Sequence, residues 1–169
     1  MIRLVYVFLL TGVFAVLELL LRNFGLFFPF CALFIFYIAV AFGRGWGFTA
    51  VCLAALALDS GASHPWSILI FLPVLFLAST WLKQAESDSI LMNFLPGLII
   101  PVPVWILSAI FFSEHFFYVL TEQFPIVFPA CAVSAVWLPM LIYLLDNLNS
   151  KLSLPLFTDA KLNQKLSLK

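Results

Sequence analysis

Residues 24–63 read FGLFFPFCALFIFYIAVAFGRGWGFTAVCLAALALDSGAS, and whether this stretch crosses a bilayer once or twice decides the topology of the chain. From Phe24 to Phe42 no side chain is charged, and the run is long and apolar enough for a membrane span. A turn built from Gly43, Arg44, Gly45 and Gly47 follows. Gly45 to Leu58 is then a short apolar segment, which spans only by recruiting Gly43 and Arg44 at one end and the Asp59, Ser60, Gly61 stretch at the other, or by tilting little. Gly61 and Pro65 signal its termination. Neither run alternates like a barrel strand, and lipid tolerates no unpaired strand edge, so both are expected to be helices.

Four further apolar runs flank this pair: Leu4 to Leu21, Trp66 to Leu82, Ile90 to Phe112 and Phe124 to Leu145. Of the 169 residues, 64% are hydrophobic and only 9% charged, against about a quarter charged in an ordinary soluble domain. The expected fold is therefore all-α, a polytopic membrane protein with a six-transmembrane-helix bundle over residues 1–150 and a short cytoplasmic tail at 151–169. The first run lacks a small-residue cleavage signal before a polar region, so it is expected to be retained. Lys161, Lys165 and Lys169 repeat every four residues beside Leu162 and Leu166, a pattern that fits either an interfacial helix or a frayed tail. Eight basic residues balance eight acidic ones, which leaves no positively charged track for nucleic acid. Membrane lipid is the main partner that composition implies.

Six crossings put Arg3, Arg44, Lys83, Lys151 and the tail lysines on one side and only Arg22 on the other. Basic residues favour the cytoplasmic side, so both termini are expected to be cytoplasmic. Trp46, Trp66 and Trp81 fall near helix ends, where an indole keeps its ring apolar and its N–H wet. Trp105 and Trp137 fall inside spans beside prolines, where packing in the core competes with lining a lateral groove.

The ionisable groups offer little chemistry. No serine, cysteine or H-E-x-x-H constellation is present, and the glycines at 43, 45 and 47 do not form a phosphate-binding loop, so no catalytic, cofactor-binding or metal-binding residue is expected. Cys31, Cys52 and Cys131 lie far apart in apolar segments and read as buried thiols. Glu18 sits four residues before Arg22, the spacing of a local ion pair. Asp59 is the most informative polar residue. It either caps the turn of residues 60–63 or faces the bundle, with His64 as the nearest candidate second group.

Two stretches resemble the rod shape-determining protein MreD family: residues 28–63, with a proline-led second span, a glycine-bearing turn and a helix ending in leucine, aspartate and small residues, and WLPMLIYLLD at 137–146. Pro29, Tyr37, Gly47, Asp59, Gly61 and Pro139 match recurrent family positions, and Trp137 stands near the last proline as in some members. Ala55 and Val51 depart from glycines common in the family. The resemblance implies a non-enzymatic scaffold of the bacterial cell-elongation and lateral peptidoglycan-synthesis machinery in the cytoplasmic (inner) membrane. Its implied partners are MreC, with MreB, RodA and a class B penicillin-binding protein in the wider complex, and no small-molecule substrate. Asp59, Gly61, Arg44, Gly47, Trp137 and Pro139 are the expected partner or structural-turn residues. The layout is also similar to substrate-binding subunits of energy-coupling-factor vitamin transporters, which makes a small-ligand-binding membrane subunit the alternative.

Overall fold

The computed structural model describes residues 2–60, 66–84, 90–112 and 124–160, and every element among them is helical. In chain order these are α1 (Ile2–Asn23), α2 (Phe30–Ala41), α3 (Arg44–Asp59), α4 (Ser67–Gln84), α5 (Ile90–Ile99), α6 (Pro101–Phe112) and α7 (Phe124–Lys151). A further helical turn occupies 157–160. Among the described residues three stretches are long and apolar enough to cross a membrane: Ile2–Asn23, Asn93–Phe111 and Phe124–Lys151. Phe30–Ala41 and Ser67–Leu82 are shorter apolar helices.

The second apolar run is helical only from Phe30, not from Phe24. The cause is Gly25, whose φ of +72° ends α1. The Leu26 N–H donates to the Leu21 carbonyl at 3.0 Å and the Gly25 N–H to the Arg22 carbonyl at 2.9 Å, the paired bonds of a Schellman stop with glycine in the left-handed position. Pro29 then keeps Phe28 out of the α region, so the new helix begins only after it. At the next turn Gly43, with φ of +93°, lets α3 start directly after α2. The helix takes in both Arg44 and Asp59, and its 16 residues rise about 24 Å.

The fifth apolar run is two helices rather than one. Pro101 and Pro103 have no N–H, so the carbonyls of Gly97 and Ile99 lose their helical donors. The Ile100 N–H still donates to Pro96 at 2.9 Å, which carries the path across the break. Pro129 and Pro139, by contrast, lie within α7 without ending it.

At the centre is α2, whose residues from Cys31 to Ala41 are all buried. It packs on α1, α3, α4 and α7, while α5 packs mainly on α7. A helix apolar all round has no face to give to water and so belongs inside. In lipid, burying an apolar side chain gains little transfer energy, so close packing has to hold such helices together. Two glycines supply it. A Cβ on Gly47 would lie 2.7 Å from Ala39 Cβ and 2.8 Å from Leu75 Cδ2, so α2, α3 and α4 meet there. One on Gly97 would strike the Ser134 carbonyl oxygen and lie 2.9 Å from Ala135 Cα.

Around this core the outer face is apolar. Leu4, Phe8, Leu9, Val13, Val16 and Leu20 of α1 are exposed, as are Phe128, Val136, Met140 and Tyr143 of α7 and Phe76 of α4. A continuous apolar surface of this kind is compatible with a membrane protein and is rare on a soluble monomer. Trp66 is exposed and stacks on Phe111 at 5.3 Å, but the Trp81 Nε1 is buried without a partner among the described residues, unlike the wet indole its place near a helix end suggests. Trp105 is buried and packs beside Phe124.

The two glycine sites make a direct test of the packing. Gly97→Leu is expected to destabilise the purified protein by at least ~1–3 kcal/mol, as overpacking does. Gly12→Leu, where nothing lies within 4 Å, is expected to stay within about 0.5 kcal/mol of the parent. Thermal unfolding in detergent measures both, and equal losses would contradict the assigned contact.

Candidate functional site

Each end of α2 is held by a carboxylate from another helix. The start of α2 has no serine, threonine, asparagine or aspartate to cap it, since its N-cap is Pro29 with no side-chain bond. Glu18 of α1 supplies the acceptor: its Oε2 takes the Cys31 N–H at 2.9 Å. The other oxygen, Oε1, pairs with Arg22 at 2.7 Å. Glu18 is only 2% exposed, so the i,i+4 pair is present but reaches further than spacing indicates. A carboxylate at a helix start also opposes the positive end of the helix dipole.

At the opposite end, the Tyr37 hydroxyl donates to Asp146 Oδ1 at 2.7 Å and accepts from Asn149 Nδ2 at 2.8 Å. Asp146 also receives the backbone N–H groups of Phe157 at 2.9 Å and Thr158 at 3.3 Å, and the Thr158 hydroxyl at 3.1 Å. It therefore caps the 157–160 turn as an N-cap side chain would, but from a different helix. The chain is aimed there by the stop of α7, where Ser153 adopts φ of +54° and the Leu154 N–H donates to Asn149 at 2.9 Å. Phe157 is buried, stacked on the Tyr37 ring at 5.8 Å. Leu154 and Phe157, past the sequence boundary at 150, thus pack into the bundle.

These two clusters are spent on holding the fold. A further carboxylate among the described residues is Asp59, the last residue of α3. Its Oδ1 is buried and has no hydrogen-bond partner among the described residues. With Cys52, Ala55, Leu56, Ser60 and Ile68 it lines a groove of about 660 Å³. The Ser60 hydroxyl donates to the Ala57 carbonyl at 2.8 Å, so it adds no donor to Asp59.

The structure disperses the other sequence-derived candidates. Arg44 is exposed at the start of α3, and Gly47 is buried one turn on, at the junction with α2 and α4. Trp137 lies against Phe28 and Phe30, its ring centroid 6.5 and 5.7 Å from theirs, with Nε1 buried and unpartnered among the described residues. Pro139 is half-buried within α7. Gly61, His64, Pro65, His115 and the lysines at 161, 165 and 169 lie outside the described residues. Only Cys31 is a fully buried thiol; Cys52 and Cys131 are part-exposed, and all three are free.

The long-range roles of Glu18, Asp146 and Asn149 escaped the sequence reading. The uncapped start FFPF, which needs an acceptor from elsewhere, was the available signal for Glu18. The class the fold defines is an all-helical bundle with an apolar exterior, compatible with a membrane protein. No family model matches the chain, and no curated protein or solved structure matches it.

Asp146→Leu is expected to raise amide exchange across 154–160 by roughly tenfold or more, since two backbone donors lose a charged acceptor. Tyr37→Phe, which keeps the ring and removes one hydroxyl, is expected to do less. Hydrogen exchange read by mass spectrometry compares them; unchanged exchange in Asp146→Leu would refute the capping role.

Proposed function

We propose that this chain is a non-enzymatic membrane scaffold of the bacterial cell-elongation and peptidoglycan-synthesis machinery, of the MreD kind, in the cytoplasmic membrane. In this reading α1, α2, α3, α4, the α5–α6 pair and α7 make six crossings, with both termini cytoplasmic. Arg3, Arg44, Lys83 and Lys151 then share the cytoplasmic side, as positive charge favours. MreC is the direct partner, with MreB, RodA and a class B penicillin-binding protein beyond it.

The observation that supports the reading best is that the two stretches carrying the MreD likeness meet. Phe28 and Phe30 lie against Trp137, and Tyr37 bonds Asp146, so the two stretches touch at two places. A second support is how the polar groups are used. Glu18, Arg22, Tyr37, Asp146 and Asn149 bond to one another or to backbone. A transport subunit instead needs several polar side chains from different helices converging on one ligand, and the Asp59 groove has a single carboxylate.

Crosslinking in native membranes followed by mass identification tests this reading. Recovery of MreC and wall-synthesis enzymes is expected; a stoichiometric small molecule with a transporter ATPase module would overturn it. The topology has its own test. Reporter tags at the two ends are expected on the same, cytoplasmic side, and Arg44→Glu is expected to lower the fraction of molecules in that orientation. Ends on opposite sides would reject the six-span layout.

A further inference from the structure

The groove at the end of α3 is a site with a definite chemical demand. Its walls are the apolar surfaces of Cys52, Ala55, Leu56 and Ile68, and it holds about 660 Å³, within the ~300–1,000 Å³ of small-molecule sites. Leu56 is 71% exposed, so the groove opens sideways from the bundle instead of into it. From Cys52 to Asp59 it follows two turns of α3, roughly 10 Å. That is too short to seat a crossing helix, which needs about 30 Å, and long enough for the upper part of an acyl chain.

Asp59 supplies the polar end. Its buried Oδ1 accepts nothing from the described residues, although a carboxylate has room for several donors. Leaving it so is costly in an apolar setting. Ser60 is turned to its own helix, and Arg22, the basic residue at the same end of the bundle, is engaged by Glu18. A ligand that suits both the carboxylate and the apolar walls is a cation that carries N–H groups and comes with an apolar body. A quaternary ammonium has no N–H to give, and an anionic headgroup would be repelled.

We propose that this groove binds a membrane lipid with a primary-ammonium headgroup. The ammonium donates to Asp59 Oδ1, and the first part of one acyl chain lies along Cys52, Leu56 and Ile68. The exposed Trp66 near the start of α4 suits headgroup depth, where indoles collect. The proposal rests on the bundle being embedded in lipid, as under the proposed function, but not on its elongation partners.

The test uses the full-length protein purified with equal amounts of phosphatidylethanolamine and phosphatidylcholine of identical chains, with retained lipid read by native mass spectrometry. The parent is expected to prefer phosphatidylethanolamine by at least ~10-fold, the factor of one charge-assisted hydrogen bond. Asp59→Leu is expected to bring the two lipids to parity, and Cys52→Trp, which fills the groove, to lower retention of both. Parity in the parent, or a preference that survives in Asp59→Leu, overturns the proposal. Should Asp59→Leu not fold, alkylation of Cys52 in the parent decides. It is expected to slow in phosphatidylethanolamine relative to phosphatidylcholine while Cys131 does not change, and equal Cys52 rates overturn the site. Neither readout depends on which proteins crosslink to the chain, so failure of the scaffold reading and failure of this site are separately visible.

Discussion

A helix with no polar face has to be surrounded, and α2 is surrounded on every side. Its burial forces α1, α3, α4 and α7 to pack round it, and it leaves the Cys31 N–H at its start buried away from water. The Glu18 carboxylate answers this at the start, by taking the Cys31 N–H while Arg22 balances its charge. Near the other end Tyr37 is tied to Asp146 and Asn149. Removing either carboxylate strands buried partners, and stranded groups cost more than the pair itself contributes.

This arrangement explains how the polar side chains of so apolar a protein are divided. Glu18 and Asp146 act at long range in sequence, each stabilising the first turn of a helical segment on another part of the chain. Asp146 in addition fastens Phe157 over Tyr37, so the end of α7 and the segment after it form a single packed region with α2. Asp59 is the exception. It lines a lateral groove with Cys52, Ala55, Leu56, Ser60 and Ile68, and its Oδ1 has no partner among the described residues.

Much of this was legible in the sequence, and the failures have physical causes. Long apolar runs without alternation foretold helices throughout, and the glycine turn at 43–47 foretold the α2–α3 reversal. The length a span requires foretold that the short third helix takes in Arg44 and Asp59, while Gly43 and Ser60, expected in it as well, stand as its caps. The break before α2 was not, because Gly25 sits in an uninterrupted apolar run and acts through φ, which composition does not register. The split at Ile100 is a matter of missing N–H groups at Pro101 and Pro103, and the same residue type at 129 and 139 leaves α7 whole. Gly47 lies in the glycine turn and is also a packing site, its small size admitting Ala39 and Leu75 closely. Gly97 gave no signal, since its importance lies in the backbone of Ser134 across the interface. The Asp59 groove could not be read at all, because it depends on how α3 and α4 lie together.

The most direct measurement of the central claim is the stability of Glu18→Leu against the parent, by reversible unfolding in detergent or bilayer. On a helix that merely crosses lipid, replacing a glutamate by leucine removes an expensive charge and should stabilise. With Glu18 holding the start of α2, the substitution leaves the buried Cys31 N–H without its acceptor while the part-exposed Arg22 turns to solvent, and a loss of about 1–3 kcal/mol is expected, the cost of an unsatisfied buried donor. Equal or greater stability in Glu18→Leu would contradict the account.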